Sequence, residues 1–241
     1  MSGPARERVG VILQARMGSS RLPGKVLRAL DGRPLIAWVV ARLRAIEGIE
    51  DVVVATSNHA REAPLVAWAQ AEGVSVFRGD EDDVLDRYVR CMDAYGFGAV
   101  VRATGDNPMV CPVEGTRLVE LYRQTKVDYA AALGKGCGLP TGAGLEIFDA
   151  EALRRSAREG TQPHHREHVN ELILEQPHRF RRRVQRALPA HRAPSLSLTV
   201  DTPEELAAMD RWYAAYRAEG GRGLVPLAWV VAAHLALQGA A

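Results

Sequence analysis

Short apolar runs alternate with amphipathic segments along most of the chain, and this alternation restricts the fold more than any other feature. The apolar runs have the length and β-branched content of buried strands, and they predict strands at 9–13, 52–55, 74–77, 99–102 and 129–132. Helices are predicted between them, at 35–46, 61–72, 83–95 and 112–125. Because such alternation is typical of βαβ units, we predict an α/β fold with a mostly parallel sheet covered by helices on both faces.

The second half of the chain is less regular. The stretch 134–144 is rich in glycine and contains Pro140, which predicts a loop. Further strands are predicted at 145–148, 180–184 and 195–200, and further helices at 150–159, 164–175 and 224–237. No linker is long enough to separate two units. We therefore expect a single domain over 1–241, with an irregular region inserted at about 133–190.

Composition and charge exclude several classes of protein. The net charge of +2 is too small for a general nucleic-acid binder, and the apolar tail is too short for a membrane span. The basic run 179–186 predicts a strand with a solvated face, with contact to RNA or an acidic partner as the alternative. Three widely spaced cysteines predict no disulfide framework, and no signal-peptide pattern precedes the first strand. We expect a cytoplasmic protein with no nucleic-acid or membrane partner.

The loop after the first strand carries the strongest functional signal. Residues 14–25 (QARMGSSRLPGK) hold the cations Arg16, Arg21 and Lys25 together with two glycines and two serines. Since the loop joins a strand to a helix, its N–H groups and positive charge can bind several phosphates. A Walker loop fails on spacing, because Gly18 and Gly24 enclose five residues instead of four and no hydroxyl residue follows Lys25. A basic surface turn remains the alternative.

Two aspartates stand at predicted strand ends. Asp106 lies between Gly105 and Asn107-Pro108, a sequence that projects a carboxylate from the sheet edge, although it also suits an ordinary turn. Asp201 ends the strand predicted at 195–200, and it serves equally well as the N-cap of the following helix. Two carboxylates that converge from different strands can hold a magnesium ion.

Four segments carry a family resemblance: 14–27 (QARMGSSRLPGKVL), 78–88 (RGDEDDVLDRY), 102–108 (RATGDNP) and 198–206 (LTVDTPEEL). In this order they resemble the cytidylyltransferase superfamily, most of all its spore coat polysaccharide biosynthesis protein F branch. The chain is similar to, but distinct from, the CMP-Kdo synthetases and acylneuraminate cytidylyltransferases. One position departs from the branch, since Asn107 stands where cysteine is expected, and this bears on acceptor selectivity.

The resemblance implies a fold, a reaction and a set of site residues. The fold is three-layer α/β/α of the nucleotide-diphospho-sugar transferase type (Rossmann-like). The reaction is transfer of CMP from CTP to a hydroxyl of a sugar or sugar acid, with release of pyrophosphate, in surface polysaccharide or glycoconjugate biosynthesis. The implied cofactor is Mg²⁺ on Asp106 and Asp201, and a homodimer is expected.

The implied residues fall into three sets. The catalytic set is Arg16, Arg21, Lys25 and Asp106. The nucleotide-binding set is Leu13, Gln14, Ala15, Arg16, Gly18, Lys25, Thr56, Arg78 and Asp106. Contacts to the acceptor are expected from Asn107, Arg166, Glu167 and His168, and from the loop 134–144.

Two other clusters offer alternative metal sites. Asp80 and Asp82 have the Asp-x-Asp spacing of metal-dependent glycosyltransferases, but these acids lead into a helix whose dipole stabilises them without a metal. His164 and His168 share a helical face, but no third ligand is evident, so a fold-supporting or substrate-contacting role competes with zinc. A glycosyltransferase that uses a finished nucleotide sugar, or a non-catalytic nucleotide-binding protein, are the alternative functions.

Overall fold

The structure is a computed structural model that describes residues 7–134 and 136–239. Lys135 of the predicted glycine-rich loop, and residues 1–6 and 240–241 of the predicted domain, lie outside the described residues. The strands of the described chain are β1 (Val9–Gln14), β2 (Ala29–Leu30), β3 (Arg33–Pro34), β4 (Val52–Ser57), β5 (Ser75–Gly79), β6 (Ala99–Thr104), β7 (Tyr129–Ala131), β8 (Glu146–Asp149) and β9 (Arg182–Val184). The helices are α1 (Leu35–Arg44), α2 (Ala63–Ala71), α3 (Val84–Tyr95), α4 (Pro112–Thr125), α5 (Ala150–Glu159), α6 (Pro163–Glu167), α7 (Glu171–Glu175), α8 (Pro203–Ala218) and α9 (Leu227–Gly239).

The central sheet has seven strands in the order β5-β4-β1-β6-β8-β7-β9. β1 pairs in parallel with both β4 and β6, and β5 continues the parallel half. β8 comes from the irregular region and enters the sheet antiparallel to its neighbours β6 and β7. The predicted mostly parallel sheet is confirmed. The parallel half brings the carboxyl ends of β1, β4 and β6 to one edge, where ligands bind in open α/β sheets.

Helices cover both faces of the sheet and enclose two apolar cores. On β6, Val101 and Ala103 belong to the larger core, which also holds side chains of α1, α4, α8 and α9. Val100, on the opposite face of the same strand, belongs to the smaller core with side chains of α3, α5 and α7. Since side chains alternate along a strand, one sheet serves both cores. The three-layer α/β/α arrangement is therefore confirmed.

The strand predicted at 195–200 is wrong. Residue 195 belongs to a turn, and the segment forms only one isolated bridge, between Thr141 and Ser197. Leu196, Leu198 and Val200 alternate because they are buried in the larger core, not because they belong to a ladder. The alternation of apolar residues therefore reflects burial of one side of the segment, which does not require strand pairing.

The helix predicted at 164–175 is interrupted. His168 leaves the helical conformation (φ −111°, ψ 109°) between α6 and α7. The break buries Val169 in the smaller core and brings Asn170 Nδ2 within 2.7 Å of Glu146 Oε1. A continuous helix would forgo these contacts.

The apolar tail forms α9, which packs on the larger core through Leu227, Val230 and Val231. Among the helices of the described residues, none has the length and hydropathy that a bilayer crossing requires.

Candidate active site

Residues 15–24, called here the first loop, leave β1 at the carboxyl edge of the sheet and fold back around one peptide group. The carbonyl oxygen of Met17 accepts hydrogen bonds from the N–H groups of Ser19 (3.0 Å) and Gly24 (3.1 Å). Gly24 has a left-handed backbone (φ 66°), which costs a residue with a side chain about 1 kcal/mol. The loop thus closes into a compact turn directly before Lys25.

The first loop combines unused backbone donors with positive charge. Within residues 7–134 and 136–239, the backbone N–H groups of Gly18, Ser20 and Arg21 donate to no protein acceptor. A cleft of about 250 Å³, called here the first cleft, is lined by this loop, Lys25, the end of β6 and Asp201. Free N–H groups next to fixed cations are the features of an anion-binding site.

Lys25 joins two aspartates from distant parts of the chain. Its Nζ lies 3.0 Å from Asp106 Oδ2 and 2.7 Å from Asp201 Oδ1. Arg21 Nη2 lies 3.0 Å from Asp201 Oδ2. The Lys25 side chain is 12% exposed, so water screens its two ion pairs weakly. The structure therefore gathers four of the predicted site residues into one charged cluster.

The N-cap of α8 is Thr202 and not Asp201. Thr202 Oγ1 accepts from the Glu205 N–H, while Glu205 Oε2 accepts from the N–H groups of Thr202 (3.0 Å) and Asp201 (2.7 Å). The Asp201 carboxylate is thus available to Lys25 and Arg21. Burial raises the pKa of this carboxyl, but the hydrogen bond from Lys25 and the two neighbouring positive charges outweigh burial and hold it below its usual value. Asp201 is therefore ionised at neutral pH.

Asp106 is oriented by a chain of side chains at the end of β6. Thr104 Oγ1 donates to Asp106 Oδ1 (2.5 Å), and Asn107 Nδ2 donates to Thr104 Oγ1 (2.9 Å). Because the amide of Asn107 fills an acceptor position of the hydroxyl, the Thr104 hydrogen is directed at the carboxylate. Asn107 thus acts on Asp106 through Thr104.

The two aspartates suit a hard divalent cation. Asp106 Oδ2 and Asp201 Oδ1 converge on the same nitrogen, and carboxylate oxygens are the protein ligands that Mg²⁺ prefers. One oxygen from each residue leaves most positions of an octahedral ion for phosphate oxygens and water. The donor set therefore fits Mg²⁺.

Five predicted nucleotide-binding residues in the first loop and directly beside it line the first cleft. They are Gln14, Ala15, Arg16, Gly18 and Lys25. Gln14 Oε1 is buried and has no hydrogen-bond partner in the described part of the chain. Arg16 is exposed and forms no ion pair with another described residue. Leu13 is buried in the larger core, so only its backbone faces the strand end.

Thr56 and Arg78 lie apart from the first cleft. Thr56 is buried, and its hydroxyl donates to Glu62 Oε2 (2.9 Å). Arg78 donates to the carbonyl oxygens of Ser57 (3.2 Å) and His59 (3.0 Å), which ties the ends of β4 and β5 together. Neither residue is among those that line the cleft.

A second cleft of about 210 Å³ shares Thr104 with the first. Arg102 and Glu146 line it and form an ion pair, with Nη1 2.6 Å from Oε2. Glu146 Oε1 accepts from Asn170 Nδ2 (2.7 Å) and from the Tyr129 hydroxyl. Sequence reasoning missed this group. The available signal was one charged residue in each of two predicted strands that are otherwise apolar, 99–102 and 145–148.

Of the four predicted acceptor contacts, only Asn107 adjoins Asp106. Arg166 Nε lies 2.8 Å from Asp83 Oδ2, and its Nη1 donates to the Ala157 carbonyl oxygen (2.8 Å). Glu167 and His168 are exposed and line neither cleft. The structure therefore assigns Arg166 a contact between α6 and the start of α3.

The acids that precede α3 turn toward the backbone. Asp80 Oδ1 accepts from the N–H groups of Asp82 and Asp83, both at 2.9 Å. These hydrogen bonds hold the pKa of the Asp80 carboxyl below its usual value. Asp83 is the N-cap of α3 and accepts from the Asp86 N–H (2.9 Å). Turn hydrogen bonds thus account for Asp80, and helix capping accounts for Asp83.

The histidine segment does have a third potential ligand, contrary to the sequence-based expectation. His164 Nε2 and His165 Nε2 lie 2.7 and 2.8 Å from the two oxygens of Glu175. The cluster contains His165 and not His168, because the helix breaks at His168. His165 Nδ1 also accepts from the Gln162 N–H (3.2 Å), so its proton sits on Nε2 and points at Glu175. This tautomer favours a hydrogen-bonded clamp over a metal site.

The chain is similar to known proteins over most of its length. A family model described as Cytidylyltransferase matches residues 10–216. Over 207 residues the chain is 34% identical to spore coat polysaccharide biosynthesis protein SpsF of Bacillus subtilis (strain 168), an alignment that covers 84% of this chain and 85% of the relative.

Two solved structures have the same fold. A cytidylyltransferase from Leptospira borgpetersenii serovar Hardjo-bovis is 27% identical with a TM-score of 0.81, over 87% of this chain and 88% of that one. A CMP:2-keto-3-deoxy-manno-octonic acid synthetase complexed with CTP is 22% identical with a TM-score of 0.65, over 86% of this chain and 99% of that one. Given the family match over residues 10–216 and the relative at 34% identity, the chain belongs to the cytidylyltransferase family.

Proposed function

We propose that this protein transfers CMP from CTP to a hydroxyl group of a sugar or sugar acid, with release of pyrophosphate, in surface polysaccharide or glycoconjugate biosynthesis. Family membership supports the cytidylyl transfer. The relatives support the setting, since one is a spore coat polysaccharide biosynthesis protein and another a synthetase of a CMP-linked sugar acid. The single observation that carries the proposal is the contact of Lys25 with both Asp106 and Asp201 beside the first loop.

The proposed reaction depends on positioning and charge neutralisation. The acceptor oxygen forms a bond to the α-phosphorus, and its proton passes to solvent. The bond between the α-phosphorus and the oxygen that bridges to the β-phosphate breaks, so negative charge grows on the departing pyrophosphate. Arg16, Arg21 and Lys25 are proposed to hold the triphosphate oxygens. The free N–H groups of the first loop add donors that need no reorganisation during the reaction.

Mg²⁺ is the proposed cofactor, with Asp106 and Asp201 as its protein ligands. When bound, it would neutralise charge on phosphate oxygens and favour the ionised form of the acceptor hydroxyl. Thr104 would keep one oxygen of Asp106 occupied, so that the other oxygen stays directed into the first cleft.

Asn107→Ala tests the support of Asp106. Loss of one hydrogen bond costs about 1 kcal/mol, so we expect pyrophosphate release to fall about fivefold. The affinity for CTP should stay within about twofold, because Asn107 lies outside the first cleft. The control is Asn58→Ala, since Asn58 is an exposed asparagine that lines neither cleft. An unchanged rate in Asn107→Ala would remove this residue from the support of Asp106.

The acceptor is proposed to bind in the second cleft, which adjoins Asp106 through Thr104 and Asn107. Arg102 lines this cleft with a partly exposed side chain, and its Nη1 donates to Glu146 Oε2 (2.6 Å). A guanidinium fixed on one side offers its other edge to a carboxylate or a pair of hydroxyls.

Arg102→Lys tests this assignment, since it keeps the charge opposite Glu146 and removes the planar fork. We expect about a tenfold higher KM for the sugar that supports turnover and an unchanged Kd for CTP. Initial rates measure the first and titration calorimetry the second. Parallel changes in both constants would argue against a separate acceptor cleft.

The proposed function is tested by measuring pyrophosphate with each of the four common ribonucleoside triphosphates, Mg²⁺, and a panel of sugars and sugar acids. We expect release that requires CTP and an acceptor together. A glycosyltransferase would instead release a nucleotide from a nucleotide sugar. Tight CTP binding without turnover over the whole panel would favour a non-catalytic binding protein.

A homodimer and a cytoplasmic location are also proposed. The family resemblance supports the dimer, for which the region at about 133–190 is the candidate contact, and light scattering in solution tests it. The buried free thiols of Cys91, Cys111 and Cys137 fit a reducing compartment. We also propose a single domain over 1–241, because strands from both halves of the chain build one seven-stranded sheet.

A further inference from the structure

Glu62 is a buried carboxylate that lines neither of the two clefts. Its side chain is 0% exposed, although it stands at the start of α2. The carboxylate makes no capping hydrogen bond to that helix. Instead, Oε2 accepts from the Met17 N–H (2.8 Å) and from Thr56 Oγ1 (2.9 Å). Burying a charged group costs free energy. The Glu62 carboxylate is directed at the first loop, so a contribution to that loop would explain why it is buried there.

Met17 is the residue around which the first loop closes. The Met17 N–H donates to the Glu62 carboxylate, while the Met17 carbonyl oxygen accepts from the N–H groups of Ser19 and Gly24. In a trans peptide the C=O and the following N–H point in opposite directions, and no cis peptide occurs in the described residues. The carbonyl of Met17 points into the loop, so the Gly18 N–H points out of it. The orientation of the Met17 peptide group thus fixes the direction in which the unused Gly18 N–H points.

The partly exposed guanidinium of Arg61 neutralises part of the negative charge of Glu62. Arg61 Nε lies 3.4 Å from Glu62 Oε1, and the Arg61 guanidinium also pairs with Glu81. The same guanidinium lies against Gly18, where a Cβ atom would meet Arg61 Nε at 3.0 Å. Glu62 therefore contacts the first loop at Met17, and Arg61 contacts it at Gly18. Glu62 also contacts Thr56 at the end of β4, and Arg61 also pairs with Glu81 just after β5.

We propose that Glu62 is a positioning residue, which holds the first loop in the shape that binds the triphosphate. This inference rests on the proposed function, because the ligand is the triphosphate of CTP. Glu62 touches no reacting group, and it acts through the N–H of Met17. We assign this role to the length of the Glu62 side chain and to its acceptor oxygen. The role does not require the negative charge, because the side-chain oxygen of glutamine can accept the same hydrogen bonds.

The test uses three variants of the full chain and the Kd for CTP with Mg²⁺, measured by calorimetry. Glu62→Gln keeps an acceptor for the Met17 N–H and should bind CTP within about threefold of the unaltered protein. Glu62→Leu loses that acceptor and should bind at least about tenfold more weakly. If Glu62→Leu does not fold, Glu62→Asp takes its place, because a carboxylate one methylene shorter cannot reach both Met17 and Thr56.

Glu114 provides the matched control. It is another buried carboxylate that accepts from a backbone N–H, that of Leu188 (2.8 Å), and it lines neither cleft. Glu114→Gln and Glu114→Leu should lower the melting temperature and leave the Kd for CTP unchanged. A loss of CTP affinity in both series would mean that burial of any carboxylate matters, which overturns the inference.

Hydrogen exchange of the Met17 amide separates the inference from the proposed function. We expect protection in the unaltered protein and in Glu62→Gln, and faster exchange in Glu62→Leu or Glu62→Asp. If the unaltered protein binds no CTP, the proposed function fails, while the exchange data still report whether Glu62 holds the loop. If CTP binds equally to all variants and the exchange is unchanged, Glu62 does not position the loop.

Discussion

Asp106→Asn is expected to reduce magnesium-dependent pyrophosphate release by about a thousandfold, since a metal ligand at a reacting phosphate is worth several kcal/mol. The amide keeps the size of the side chain and can still accept from Thr104, so the fold should persist. It removes one of the two negative charges that face Lys25. The measurement is initial pyrophosphate release at saturating CTP over a range of Mg²⁺ concentrations.

The matched control is Asp128→Asn. Asp128 is also partly buried and ion-paired, with its Oδ1 3.2 Å from Arg181 Nη2. It lies directly before β7, near the edge strand β9 of the sheet. This control should leave the rate unchanged. Undiminished release by Asp106→Asn would remove Asp106 from the mechanism, and equal losses in both variants would indicate a general effect on stability.

Lys25→Met is expected to have the second-largest effect, a loss of about a hundredfold in turnover and a weaker affinity for CTP. Methionine preserves much of the aliphatic stem and removes the ammonium group, so the triphosphate loses a charge-assisted hydrogen bond. The same change leaves Asp106 and Asp201 without their shared cation. We therefore expect Mg²⁺ alone, in the absence of nucleotide, to bind more tightly to the variant.

These opposite changes in affinity make the Lys25 experiment specific. Calorimetry with CTP and with Mg²⁺ separately measures the two affinities. Lys126→Met is the control, because Lys126 pairs with Glu7 (2.8 Å) and lines neither cleft. Wild-type CTP affinity in Lys25→Met would contradict its role as a triphosphate ligand.

Local signals in the sequence were sufficient for most of the fold. The helices predicted at 112–125 and 150–159 coincide with α4 and α5, since proline or a capping aspartate marks their starts. The strand predicted at 195–200 failed because one-sided burial produces the same alternation without a ladder. The helix at 164–175 failed because the contacts of Val169 and Asn170 lie in other parts of the chain.

The candidate site was predictable only where its residues form a continuous motif. The first loop and Asp106 stand out in the sequence because glycines, prolines and charges cluster there. Arg102 and Glu146 were not found, because each is the single charged residue of a predicted apolar strand (99–102 and 145–148) and its role depends on the ion pair with the other. Glu62 gives no sequence signal, since its partner Met17 lies 45 residues away.

The amino-acid sequence alone determined the α/β class, the cationic first loop and the strand-end position of Asp106, because periodicity, turn residues and charge clusters act over a few neighbouring positions. Only the tertiary structure decided that Lys25 meets Asp106 and Asp201, which lie 81 and 176 residues further along the chain. It also decided that Thr202 caps α8 and leaves Asp201 to Lys25. The physical reason is twofold. The order of the sheet places β1 beside β6, and the hydrogen bond from the Val200 N–H to the Asp106 carbonyl oxygen (2.9 Å) holds the segment before α8 next to the end of β6.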